Sequence, residues 1–232
     1  MSIYHYPNYL TFIKNERKTL RFLAEQPFIN KAFGSLSRSA ETCFYKVTND
    51  EKVLKKSEFI FGCNFDILIE KEIRRIIIEV KILPNFEFAT YILSICRNNS
   101  APFFLIRKFH FDYAIPKIKE SPKPVYHLQY GGELSPGLDE LKIDVNDLHP
   151  WLSLPRIGFY PINLALLLDM IFIEFKTEET IRIVGRQEWR DFVKNNEDEI
   201  LKPYYERISS FLNGEHSHNF LLRDYYYGKG VN

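Results

Sequence analysis

The chain has 232 residues, 45% hydrophobic and 26% charged, the proportions of a folded globular chain with a sizeable core rather than of a disordered one. Its 31 basic and 30 acidic side chains nearly cancel, which removes the broad basic surplus of a duplex-DNA binder while leaving a local patch open. Three cysteines, Cys43, Cys63 and Cys96, are odd in number and lack C-x-x-C spacing, so they read as small buried hydrophobes of a reducing compartment.

The opening MSIYHYPNYLTFIKNERK brings charge too early for the apolar segment of a signal peptide. From Tyr9 to Gln26 the spacing predicts an amphipathic helix. Leu10, Ile13, Leu20 and Leu23 form its apolar stripe, and Lys14, Glu16, Arg17, Lys18 and Arg21 lie largely on the other side. Pro27 stops it, and Lys31 to Ala40 reads as a loop or a short turn. A first strand is expected at Cys43 to Val47. A second follows over SEFIFGCNFDILIE, Ser57 to Glu70, where Gly62 suggests a bulge or bend. Lys71 to Arg75 reads as a hairpin connection leading into the strand IIIEVKIL, Ile76 to Leu83.

Phe88 to Arg97 admits two readings. As a strand, it sets Tyr91, Leu93 and Ile95 on one face; as a helix, it has Asn85 as N-cap and a stripe of Phe88, Ile92 and Ile95. Thr90, Tyr91 and Ile92 favour the strand. The alternation is clearest in FFLIRKFHFDY, Phe103 to Tyr113. Leu105, Arg107, Phe109, Phe111 and Tyr113 point one way, and Ile106, Lys108, His110 and Asp112 the other. Val125 to Tyr130 closes the set before Gly131-Gly132.

Gly132 to Pro150 reads as an irregular acidic loop, and three prolines keep His149 to Pro161 from forming one regular element. Ile162 to Phe175 is apolar nearly all round and is expected as a buried helix on the sheet. Its apolar run is broken by Asp169 and Glu174 and is too short to span a bilayer, so a soluble, cytoplasmic protein without membrane association is expected. Thr177 opens another helical region. Gln187 to Leu201 and Tyr204 to Leu212 follow as amphipathic helices broken at Pro203, and the aromatic tail NFLLRDYYYGKGVN is expected to dock. The fold class that results is α+β. An antiparallel, meander-like sheet of about five strands carries an N-terminal helix and C-terminal helices on one face. It forms a single domain, with 1–40 as helix and loop, 41–132 as sheet and 133–232 as loop and helical region.

Two patterns could carry chemistry. Asp66, followed on the next strand by Glu79-Val80-Lys81 after an apolar run, resembles the PD-(D/E)xK nuclease family. That likeness implies carboxylates of Asp66 and Glu79 holding Mg2+ and Lys81 positioning the attacking water in cleavage of DNA or RNA. An E-x-K tripeptide arises about once by chance in such a chain, and a solvated strand face with a cross-strand charge pair explains the same residues. The second pattern pairs His110 and Asp112 with His127 and Gln129. If their strands are antiparallel neighbours, all four share a face as a metal site, a carboxylate-oriented base or a hydrogen-bonded polar cluster, the last being favoured. A toxin acting on RNA through His110 and His127 would need both imidazoles at one scissile phosphate. Asp169, an acid in an apolar helix, needs a partner, for which Arg156 is the candidate. His216 and His218 are a weaker metal pattern, and no Walker loop, nucleophile elbow or dinucleotide fingerprint occurs.

The run FHFDY, then YHLQYGG, then LPRIGFYPINLALLLD, resembles a group of uncharacterised bacterial proteins, some encoded near phage-defence or toxin–antitoxin genes. The likeness covers Phe109 to Asp169 and carries no catalytic residues. It implies an accessory subunit of a bacterial defence or toxin–antitoxin complex that acts through other protein subunits and needs no cofactor. The abundance of Tyr and Phe suits interfaces.

Overall fold

A computed structural model describes residues 9–25, 59–69, 72–84, 88–97, 103–114, 125–131, 143–144 and 156–214. The expected strand at Cys43 to Val47, the loop at Lys31 to Ala40, His216, His218 and the aromatic tail lie outside them. Helix α1 spans Tyr9–Ala24. Strands β1 (Phe59–Ile69), β2 (Glu72–Ile82), β3 (Phe88–Arg97), β4 (Phe103–Ala114) and β5 (Tyr126–Tyr130) form an antiparallel meander. Two short additions raise the sheet to seven strands: β6 (Ile143–Asp144) runs parallel to β4, and β7 (Arg156–Gly158) pairs antiparallel with β5. Helices α2 (Leu164–Glu174), α3 (Glu178–Val184), α4 (Gln187–Asn196) and α5 (Lys202–Leu212) follow. The class is α+β, with two strands more than the sequence implied because each addition has only two or three residues and no alternation to betray it.

β3 resolves as a strand, and its burial explains the ambiguity. It lies between β2 and β4 and is buried along nearly its whole length, so no wet face imposes a period of two on its sequence. Gly62 introduces no bulge, since the β1–β2 register runs unbroken past the Gly62–Glu79 pair. The irregularity falls instead between β3 and β4. Ile95 pairs with Arg107 but Cys96 with Leu105, so one extra residue in β4 moves Leu105 off the face of Phe109 and Phe111.

One face of the sheet is apolar. Phe59, Phe65, Ile76, Ile78, Val80, Ile82, Tyr91 and Leu93 are buried there with α1 and α2. The Phe65 and Phe172 rings lie 6.0 Å apart and those of Tyr9 and Phe59 6.2 Å. α2 starts because Asn163 accepts a hydrogen bond from the Leu166 N–H at 3.0 Å, and its sequence LALLLDMIFIE leaves no polar stripe to stay in water. Thr177 and Thr180 cap α3 reciprocally. Trp189 on α4 is fully buried among Phe22, Phe172 and Phe192; removing such a ring costs roughly 3–5 kcal/mol.

One local expectation is overturned. Pro203 does not break the chain between α4 and α5. A π-helical turn, Glu197–Leu201, joins them, and Pro203 falls in the first turn of α5, where its missing N–H is harmless. Asp169 takes its hydrogen bond from the Trp189 indole N–H at 2.8 Å, because the return of α4 across α2 brings Trp189 to it. Arg156, the expected partner, lies in β7 with Gln129 as its register neighbour.

Candidate functional site

The opposite face of the sheet carries the polar residues, and the ladder sets them in lateral rows. Register places Lys81 beside Thr90, Thr90 beside Asp112, and Asp112 beside His127. The next row runs Gly62, Glu79, Ile92, His110, Gln129, Arg156. The third runs Asn64, Ile77, Ser94, Lys108. Directly opposed side chains in antiparallel strands lie about 5 Å apart at Cβ, so each row is a chain of neighbours.

His110, Asp112, His127 and Gln129 therefore meet, since β4 and β5 pair antiparallel with His110 opposite Gln129 and Asp112 opposite His127. The Thr90 hydroxyl donates to Asp112 Oδ1, and His127 Nε2 stands 3.3 Å from Asp112 Oδ2. Burial acts to raise the Asp112 pKa, but the hydrogen bonds from His127 and Thr90 outweigh it and hold the carboxyl below its ordinary value. His110 is pushed down to about 4, first by burial and then by the Lys108 charge, against the pull of Asp112; it is neutral at pH 7. Its Nε2 is buried and makes no hydrogen bond. Ser94 Oγ, on the same face of β3, is likewise buried without a hydrogen bond.

The register does not gather the nuclease-like set. Glu79 and Lys81 share this face with Asp66, but Asp66 stands opposite Arg75, four residues along β1 from the Gly62 that faces Glu79. At the rise of an extended strand that is about 13 Å, too far for two carboxylates to share one ion. Both oxygens of Asp66 are occupied by Arg75, with Nε at 2.6 Å and an Nη at 2.7 Å. A strand, β3, follows Lys81 where the nuclease family has a helix. Mg2+ is thus not fitted by Asp66 and Glu79, and among the described residues no group of three acidic, histidine or cysteine side chains could hold a metal ion.

A second polar cluster, not anticipated from the sequence, joins α1 to α2. Glu16 is fully buried, and its Oε1 accepts the Leu164 N–H at 3.1 Å at the start of α2. Beside it, Asn163 donates to Asn196 Oδ1 at 2.6 Å, which ties α2 to α4. Burial raises the Glu16 pKa from 4.5 to about 8, opposed by the Leu164 N–H and the Tyr91 hydroxyl. Positions 9, 12, 13, 16 and 23 are all buried, so Glu16 lies within the inward stripe of α1, and that spacing was the available signal.

The chain matches no protein family, no curated protein and no solved structure. No described helix is long and apolar enough to cross a membrane.

Proposed function

We propose that this protein is a cytoplasmic accessory or structural subunit of a bacterial anti-phage defence or toxin–antitoxin type complex, working through contacts with other protein subunits. The observation that carries this reading is the β5–β7 edge of the sheet. Among the described residues β7 is the outermost strand on that side, and Ile157 on it is 57% exposed. Tyr130, on the same face of neighbouring β5, is 49% exposed, and Tyr205 of α5 is half exposed. Exposed aliphatic and aromatic side chains at a sheet edge are the composition of interface cores and a template for added strands.

The alternative, a Mg2+-dependent nuclease using Asp66, Glu79 and Lys81, draws no support from the register that keeps Asp66 with Arg75. Co-expression with the products of adjacent genes, followed by size-exclusion chromatography with light scattering, tests the subunit reading. A stable complex weakened by Ile157→Glu is the expected result. A monomer with which no neighbouring gene product co-purifies ends it. Incubation with DNA and RNA plus Mg2+ addresses the alternative, which requires cleavage lost in Glu79→Ala.

A further inference from the structure

We propose that the open end of the helix-side face, where Phe104, Arg107, Phe109 and Tyr130 meet Arg97, binds single-stranded nucleic acid. Register builds this surface. Arg107 and Phe109 alternate on β4 and share their face with Ile95 and Leu93 of β3, and Tyr130 of β5 is directly across from Phe109. The shift between Ile95 and Cys96 returns Phe104 to the same face, opposite Arg97. α2 covers this side of the sheet at Phe65 and α5 covers it at Tyr126, but Arg97, Phe104, Arg107 and Tyr130 stay exposed beyond them. The Phe109 and Tyr130 rings meet steeply, edge toward face, with centroids 5.5 Å apart.

Charge is sorted across this end of the sheet. On the β1–β2 side, Glu72 pairs with Arg74, and Glu178 and Glu179 line a cleft with Ile67. On β3, Arg97 lies 4.0 Å from Glu72 and keeps its side chain 63% exposed. On β4, the Arg107 guanidinium donates to the Ile106 carbonyl at 2.9 Å, and no carboxylate pairs with it among the described residues. The acid nearest in register on the β4 side is Asp144, which β6 sets beside Phe104. Single exposed apolar residues need no explanation, but rings on adjacent strands interleaved with arginines form a patch. Aromatic rings stack with any base, and guanidinium groups both contact phosphate and stack, so this pattern takes a single strand without reading its sequence. A duplex keeps its base faces inside the stack, and its grooves admit a helix or a two-stranded ribbon rather than a broad sheet. A protein partner covers rings equally well, but a guanidinium lacking a carboxylate favours a ligand that carries negative charge. The near-zero net charge of the chain is no obstacle, because the basic side chains need only be gathered locally.

This inference stands apart from the subunit reading, and its test uses the full chain without a partner. Fluorescence anisotropy follows a labelled short single-stranded RNA, the DNA of the same sequence, and that DNA as a duplex. Both single strands should bind more tightly than the duplex, with Kd of roughly 1–100 μM at physiological salt. Two phosphate contacts, from Arg97 and Arg107, set the expected slope of log K against log salt at about −1.4. Tyr130→Ala and Phe104→Ala should each weaken binding about tenfold through the lost stack, and Tyr130→Phe should leave it unchanged. Arg107→Glu should weaken binding at least as much as the ring truncations. All of these side chains are exposed, so the variants should keep the wild-type circular dichroism and Tm. Tighter binding of RNA assigns the surface to RNA through its 2′-hydroxyls, and the reverse to DNA; either supports the proposal. No binding of either single strand, a duplex bound as tightly as the single strands, or affinity unchanged in both Arg107→Glu and Tyr130→Ala overturns it. Loss of a neighbouring gene product from Arg107→Glu, with no oligonucleotide bound by the wild type, gives the surface to a protein partner and overturns it as well.

Discussion

Glu16→Gln tests the junction of α1 and α2 by removing a charge while keeping an oxygen. The glutamine retains an acceptor for the Leu164 N–H and nearly the same volume. Glu16 has a folded pKa of about 8 against an ordinary 4.5, so the folded protein binds the proton more tightly than the unfolded chain. The stability this contributes is complete below pH about 4.5 and is lost as the pH rises through about 8. A displacement of this size corresponds to about 5 kcal/mol between the two protonation states, and partial water entry on ionisation brings the expected loss to roughly 3 kcal/mol by pH 9. Urea unfolding followed by circular dichroism at pH 5, 7 and 9 reads it directly. At pH 5 the wild type and Glu16→Gln should be nearly equal. By pH 9 the variant should be more stable by roughly 3 kcal/mol, or about 6–12 °C in Tm. Other groups titrate in both proteins, and the difference between them isolates Glu16. Parallel curves at all three pH values would refute the reasoning, since they would mean a carboxylate already ionised in the fold.

Asp112→Ala strips Thr90 and His127 of their shared acceptor and should lower the unfolding free energy by roughly 2–4 kcal/mol at pH 7 in urea melts. Because its folded pKa is depressed, the Asp112 contribution is present above its ordinary 3.8 and is lost as the pH falls below that value, so the wild type and variant should converge in acid. A double-mutant cycle on Asp66 and Arg75 should give a coupling of about 1 kcal/mol that shrinks in 1 M salt, since the pair is only partly buried. Thr177→Ala removes the cap of α3 and should cost about 1 kcal/mol, measured from the urea midpoint at constant slope.

What the sequence makes visible depends on whether a residue's partner is near in the chain or implied by a regular period. β4 and β5 alternate apolar and polar residues, so that alternation and antiparallel pairing together bring His110, Asp112, His127 and Gln129 to one face. α2 is legible because an eleven-residue apolar run after a capping residue has few other folds. Thr90 and Ser94 escape notice because β3 is buried on both faces and its sequence does not say which residues share a side. Glu16 escapes for another reason. Its chemistry places it with the lysines of α1, and only a backbone N–H 148 residues away gives a carboxyl cause to sit on the inward stripe. The same distance rule hides Trp189 from Asp169. It also undoes the grouping of Asp66 with Glu79, because a strand hairpin fixes faces readily but fixes position along the strand only through its turn.

The two faces of the sheet stand in different relations to stability. On the helix side, Ile76, Ile78, Val80 and Ile82 stabilise the fold by leaving water, and any enlargement of that apolar contact adds to it. On the other side, Ser94, Lys108, His127 and Gln129 are buried just as deeply, yet burying them is unfavourable until each polar atom finds a partner. Replacing a buried polar or ionic set by well-packed apolar residues is often neutral or stabilising, so folding alone does not call for histidines and lysines in the middle of this sheet. The Thr90–Asp112–His127 chain offsets its own burial through hydrogen bonds, whereas Ser94 and His110 keep polar atoms with none. That contrast within one face separates polar residues whose burial is offset by hydrogen bonds from those whose burial is not.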